Sequence, residues 1–151
     1  MKQKILKLFL ILMLVAYTVF LAYVLFLRYR SISLDTTLNE RIETEANFTP
    51  LETVKNYYHA LKDGRMSDKV FFENIIGNLL LFLPVGVILP SCSHKFSKAS
   101  GFLFFILAVI LLVEGAQLLT GLGRFDTDDI ILNFTGAVFG YFVNLSIRKA
   151  D

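Results

Sequence analysis

The sequence predicts an all-α polytopic membrane protein, with four transmembrane helices and one short external amphipathic helix. Three observations carry this prediction. Hydrophobic residues make up 55% of the 151, above the roughly 45–50% typical of a soluble domain, and the mean hydropathy is +0.60. The apolar residues are bunched into four runs near the length that crosses a bilayer core, about 17–25 residues. The short loops that join the last three runs also alternate in charge, basic and then acidic. The length corresponds to a single domain, 1–151.

The first span is expected at about 5–27, which is free of charge after Lys7, from Leu8 to Leu27. Lys2, Lys4 and Lys7 at its start could form the basic n-region of a signal peptide. The apolar stretch exceeds the roughly 7–15 residues of an h-region, however, and Leu25-Phe26-Leu27 offers no small-residue cleavage site. The reading is a retained span. Residues 28–73 then form an external segment. Within it, Thr49-Pro50-Leu51-Glu52 has the pattern of a capping box with proline at the first helical position. Leu51, Val54, Tyr58 and Leu61 follow at helical spacing, and Gly64 is a natural stop. They predict an amphipathic helix from about Pro50 to Asp63, with Tyr57 and Tyr58 suited to the membrane interface.

The second span is expected at about 74–90. Pro84 inside it removes one backbone hydrogen bond and predicts a kink that neighbouring helices compensate. The third, at about 101–120, is interrupted by Glu114 and Gln117. The fourth, at about 129–147, carries Gly136 and Gly140 in a GxxxG spacing that favours close helix packing. Gly77 and Gly86 in the second span are read in the same way.

Orientation follows from Lys and Arg in short loops. Lys2, Lys4 and Lys7, then Lys95 and Lys98, then Arg148 and Lys149 fall on one side of a four-span chain, predicted to be cytoplasmic. The loop between spans three and four sets Arg124 against Asp126, Asp128 and Asp129 and belongs outside. Residues 28–73 carry seven Lys/Arg and eight Asp/Glu. Of these, Arg28 and Arg30 abut the first span and weigh in the opposite direction.

Composition also excludes several classes. The net charge is only +2 and the basic residues are spread along the chain, so there is no nucleic-acid footprint. Cys92 is the single cysteine and cannot form an intrachain disulfide. His59 and His94 are too few and too far apart for a metal-ligand pattern. No cofactor motif, glycine-rich phosphate loop or nucleophile–base pair stands out, so no catalytic residue is assigned.

What remains is a polar constellation. A charged side chain within a span costs about 2.5–3.5 kcal/mol on insertion scales and so requires a reason. Glu114 and Gln117 share a face near the outer end of the third helix. Arg124, Asp126, Asp128 and Asp129 fill the outer loop, and Asn133 lies one turn beyond Asp129. Asn74 and Asn78 lie one turn apart at the outer start of the second helix. On the predicted topology all of them meet near the outer interface. Glu114, Gln117, Arg124, Asp126, Asp129, Asn133, Asn74 and Asn78 are therefore the ligand-binding candidates. Glu114 offers a base or an ion-pair partner, and Arg124 offers a bidentate grip on carboxylate or phosphate. A purely structural use competes with this. Glu114 and Arg124 would then form a buried ion pair, the asparagines would bridge helices, and Asp126 to Asp129 would cap the fourth helix.

Three segments together resemble the VanZ-like family of bacterial membrane proteins. Asn47-Phe48-Thr49-Pro50-Leu51 is similar to the family's Asn-Leu-Ile-Pro-Phe segment, departing at Phe48-Thr49. Asn74-Ile75-Ile76-Gly77-Asn78 through Pro84-Val85-Gly86 is similar to its second signature. Glu114-Gly115-Ala116-Gln117, Gly123-Arg124-Phe125-Asp126-Thr127-Asp128-Asp129 and Asn133-Phe134-Thr135-Gly136 with Gly140 are similar to its third. The likeness runs from about Asn47 to Tyr141. It implies a protein of the bacterial cytoplasmic membrane linked to glycopeptide resistance, especially to teicoplanin-like lipoglycopeptides, and it implies no particular substrate. The leading expectation is binding or modification of an envelope lipid or lipid-linked precursor at the outer face. The alternative is a non-catalytic structural partner of an envelope-enzyme complex. A transporter ranks lowest, because the spans show no inverted repeat.

Overall fold

The computed structural model describes residues 2–28 and 36–150, with the side chains of residues 2, 3, 28 and 150 set aside. Arg30 and the side chains of Lys2 and Arg28, all weighed in the orientation argument, fall outside that description. In order, α1 (Lys2–Tyr23) runs into a π-helical turn (Val24–Arg28), followed by α2 (Leu38–Thr44), α3 (Glu52–Lys62), α4 (Asp68–Leu81), α5 (Leu83–Cys92), α6 (His94–Ser97), α7 (Ala99–Thr120) and α8 (Thr127–Ala150). No strand occurs among the described residues. Four stretches are long and apolar enough to span a membrane, as predicted: Lys4–Leu27, Asp68–Cys92, Ala99–Thr120 and Thr127–Lys149.

The second span starts at Asp68, ahead of the predicted Asn74. Ser67 is its N-cap, with Oγ accepting from the Val70 amide at 3.4 Å. The predicted kink separates α4 from α5 at Phe82, with Pro84 in the first turn of α5. Proline is tolerated there because a first-turn amide has no intrahelical acceptor. The Tyr17 hydroxyl donates to the Leu81 carbonyl at 2.8 Å beside the break, so a neighbouring helix compensates a backbone group at the kink.

The core lies where the second, third and fourth spans meet. Phe102, Ile106 and Ile110 recur every fourth residue on α7 and are buried. They pack with Phe82, Val85 and Leu89 from the second span and with Ala137 and Tyr141 from α8. The Phe102 and Tyr141 rings stack at 4.8 Å. The GxxxG reading is borne out between the second and fourth spans. A Cβ at Gly136 would meet the Leu79 carbonyl oxygen at 1.8 Å, one at Gly140 the Leu83 oxygen at 2.1 Å, and one at Gly86 the Ala137 oxygen at 2.1 Å. Gly77 departs from its reading, since a Cβ there would meet nothing within 4 Å. The first span is the least covered. It packs along Leu14, Tyr17, Leu21 and Leu25 and leaves Ile5, Leu8, Leu12, Val15 and Val19 exposed, a surface suited to lipid.

The external segment is folded onto the ends of the spans. The amphipathic helix is present as α3, and Gly64 follows it with φ +69°. Its capping differs from the expectation. The N-cap is Leu51 at φ 65°, with no side-chain cap of its own, so the Thr49–Glu52 box does not form. Asp128 supplies the cap from the fourth span, accepting from the Leu51 amide through Oδ1 and from the Val54 amide through Oδ2 at 2.9 Å. The buried side of α3 also shifts. Val54, Tyr57 and Leu61 are partly buried, whereas Leu51 and Tyr58 are exposed. A complete capping box forms instead at Thr37 and Glu40, ahead of α2. The Thr37 backbone and hydroxyl hold the Glu40 carboxyl below its ordinary range. Arg41, also in α2, is buried and donates to the Leu119 carbonyl at 3.1 Å. Its guanidinium lies against Gly121, the left-handed residue ending α7. The cation thereby satisfies carbonyls at the negative end of the third span.

Candidate functional site

The buried stripe of α7 continues from Ile110 to Glu114 and Gln117. The periodicity that points Phe102 and Ile106 into the core therefore turns a carboxylate and an amide inward as well. Glu114 is 1% exposed, and its Oε2 accepts from the Asp126 amide at 3.2 Å. Gln117 Nε2 donates to the Leu25 carbonyl at 2.9 Å, inside the π-helical turn of the first span. One polar side chain thus ties the otherwise loosely packed first span to the third.

Asp126 precedes α8 and accepts three hydrogen bonds. It accepts from Thr53 Oγ1 at 2.6 Å, from the Asp128 amide at 2.9 Å and from Asn47 Nδ2 at 3.2 Å. Asn47 fastens the same junction through backbone bonds to Phe125 at 2.8 Å and Thr127 at 3.0 Å. Acidic capping of the fourth helix, one of the structural readings, thus applies to Asp126, while Asp128 caps α3. Asp129 points elsewhere and accepts from Asn78 Nδ2 of the second span. Asn74 Nδ2 donates to the Val70 carbonyl of its own helix at 2.7 Å.

The Glu114–Arg124 ion pair of the competing structural reading is absent among the described residues. Glu114 is buried and Arg124 is exposed, and among the described residues the salt bridges are Arg65–Asp63 and Lys69–Glu73. Asn133 is 1% exposed and its Oδ1 has no hydrogen-bond partner. A buried carbonyl oxygen in that state has lost water without replacement, which costs about 1–3 kcal/mol.

These positions line one cavity of about 730 Å³. Glu114, Gln117, Arg124, Asp126, Asp129, Asn133, Asn74 and Asn78 all face it, which brings together every ligand-binding candidate named from the sequence. Residues of the external segment complete its wall. Tyr57, expected at the membrane interface, lines the cavity together with Thr53 and Val54 of α3. Burial raises the Tyr57 phenol above its ordinary range, Asp129 and Asp126 add to that, and Arg124 partly offsets it. The phenol therefore keeps its proton and remains a donor. Its neighbour Tyr58 hid this role, because helical periodicity alone favoured the wrong tyrosine.

Among the described residues, no group of three or more His, Cys, Asp or Glu side chains could hold a metal ion. A smaller cavity of about 340 Å³ lies elsewhere, with Lys7, His94 and Arg148 in its lining. Basic residues preceding the first span's midpoint, in the short loop and after the fourth span thus share one end of the molecule.

No curated protein and no solved structure matches this chain. The VanZ/LLP1 family matches residues 14–148, nearly the whole chain. With four spans and the Asn47, Glu114 and Asp126 junctions in place, the chain belongs to the VanZ/LLP1 family of membrane proteins, which links it to glycopeptide resistance.

Proposed function

We propose that this protein sits in the bacterial cytoplasmic membrane with both termini inside and holds the polar headgroup of an envelope lipid or lipid-linked precursor in its outer-face cavity. Occupancy of that lipid lowers susceptibility to lipoglycopeptide antibiotics. The observation that supports the reading is the convergence of eight polar residues from three spans and one loop on a single cavity. Helix glue needs polar groups that satisfy one another. Here Asn133 Oδ1 has no partner, and Arg124 makes no hydrogen bond or ion pair with a described residue. Such groups suit an incoming ligand. The basic end around Lys7, His94 and Arg148 supports a cytoplasmic position for the termini.

The reading is tested by teicoplanin susceptibility of cells carrying Glu114→Gln or Arg124→Ala, with membrane insertion checked in parallel. Both variants are expected to insert and to lose protection. Full protection in both would overturn the proposal. The second reading, a non-catalytic partner of an envelope-enzyme complex, draws on the exposed Phe48, Leu51 and Tyr58 of the external segment. It requires that in-cell crosslinking from Tyr58 recover a protein.

A further inference from the structure

The groups that line the cavity are sorted by hydrogen-bond sense. Deep in the wall, Gln117 and Asn78 both turn their amide nitrogens to protein acceptors, the Leu25 carbonyl and Asp129. What they leave for the cavity is their carbonyl oxygens. Asn133 adds an unpartnered Oδ1 on a residue 1% exposed. Glu114 and Asp129 each accept one protein hydrogen bond, through Oε2 and Oδ1, and no described residue donates to the second oxygen of either. The wall is therefore rich in acceptors, two of them carboxylates, with the Asn133 amide nitrogen beside them. Among the described residues no Lys or Arg forms a salt bridge with these carboxylates, and Arg124 is the only Lys or Arg in the lining.

Further donors are Arg124 and Tyr57. Arg124 is exposed, and its guanidinium, with five N–H groups, has no partner among the described residues. The Tyr57 hydroxyl makes no hydrogen bond with a described residue and lies within electrostatic reach of Asp129, Asp126 and Arg124, in falling order. A carboxylate held away from water is stabilised by taking up a proton or by a positive partner, because an isolated buried charge is costly. A metal ion fits less well, since no three ligating side chains gather among the described residues. An alkylammonium group fits better. It brings positive charge and N–H donors to spread over Glu114, Asp129 and Asn133 Oδ1.

The geometry points to a ligand that carries a primary ammonium group and an anionic group a few bonds away. The ammonium seats among Glu114, Asp129 and Asn133, and the phosphate or carboxylate seats on Arg124 and Tyr57. This inference rests on the lipid-headgroup reading of the cavity and narrows it to a zwitterionic aminoalkyl phosphate. That chemistry occurs both as a phosphatidylethanolamine headgroup and as free phosphoethanolamine.

The test uses the full-length protein in nanodiscs of phosphatidylcholine doped with phosphatidylethanolamine or phosphatidylglycerol, or supplied with free phosphoethanolamine, with retained compound measured by native mass spectrometry. Phosphatidylethanolamine is expected to be retained at least tenfold over both others, because a quaternary ammonium has no N–H to donate and phosphatidylglycerol has no cation. Arg124→Ala is expected to abolish that preference and Arg124→Lys to keep part of it. Arg124 is exposed and contributes no hydrogen bond to the fold, so loss of folding does not confuse the result. Equal retention of phosphatidylcholine, or retention of phosphatidylglycerol that depends on Arg124, would overturn the ammonium inference and leave the headgroup reading standing. Retention of free phosphoethanolamine without any site-dependent lipid would uphold the inference and overturn the lipid reading. No site-dependent retention of any of the four compounds would overturn both.

Discussion

Asp128 shows how a single residue can belong to two places. In sequence it sits in an acidic loop and reads as a cap for its own helix. In the fold its two oxygens accept the Leu51 and Val54 amides of a helix more than seventy residues earlier. Helix N-termini carry unpaired amides and a positive dipole, so a carboxylate from any element stabilises them. Asp128→Ala is expected to destabilise α3 by about 1–2 kcal/mol. Hydrogen–deuterium exchange would report this as faster exchange at Leu51 and Val54, with the α7 amides unchanged. Unchanged exchange at α3 would contradict the assignment. At this scale the sequence revealed which residues are polar but not whom they serve. Thr49-Pro50-Leu51-Glu52 has the letters of a capping box, and Leu51 instead adopts φ 65°. Thr37-Leu38-Asn39-Glu40 has the same letters and forms the box. The difference is tertiary. Asn47, Asp126 and Asp128 hold the chain around Thr49 in another path.

For whole elements, the apolar runs made the spans legible, because length and hydropathy are all that membrane insertion requires. The inward stripe of α7 was readable as well, since Phe102, Ile106, Ile110, Glu114 and Gln117 share one face. The glycines were only half readable. Gly86, Gly136 and Gly140 allow the second and fourth spans to meet backbone to backbone, while Gly77 in the same second span borders the cavity. Spacing cannot separate these cases, because contact depends on which way the kink at Phe82 turns each half of the span. A paired substitution separates them. Gly140→Ala places a methyl group against the Leu83 carbonyl oxygen and the Gly86 Cα, and is expected to cost roughly 1–3 kcal/mol, as other overpacking changes do. Gly77→Ala is expected to stay within about 0.5 kcal/mol of the parent. Thermal unfolding in detergent measures both, and equal effects would contradict the packing described.

The molecule as a whole has two chemically different ends. Lys7, His94 and Arg148 line the cavity at one, and Glu114, Asp126 and Asp129 gather in the larger cavity. The proposed orientation places the first end in the cytoplasm. Impermeant maleimide applied to intact cells is expected to label Lys55→Cys, on α3, and to reach Lys149→Cys only after permeabilisation. Cys92, the natural thiol, is buried and contributes little background. The reverse labelling pattern would invert the orientation and remove the cavity from the outer face. The convergence of the candidate residues was legible because four spans fix which helix ends are neighbours. The part played by residues 36–63 was not, because a polar external segment carries no hydropathy signal to say where it docks.

That docking has a consequence for the order in which the chain is made. Asn47 pairs with Phe125, Asp126 and Thr127, α3 takes its cap from Asp128, and Arg41 closes on Leu119. Every one of these partners leaves the ribosome long after the segment that needs it. On the proposed orientation the first external segment is translocated during synthesis without the groups that give it shape. It acquires its structure only when the fourth span arrives, and the cavity wall built from Thr53, Val54 and Tyr57 is the last part of the protein to be assembled.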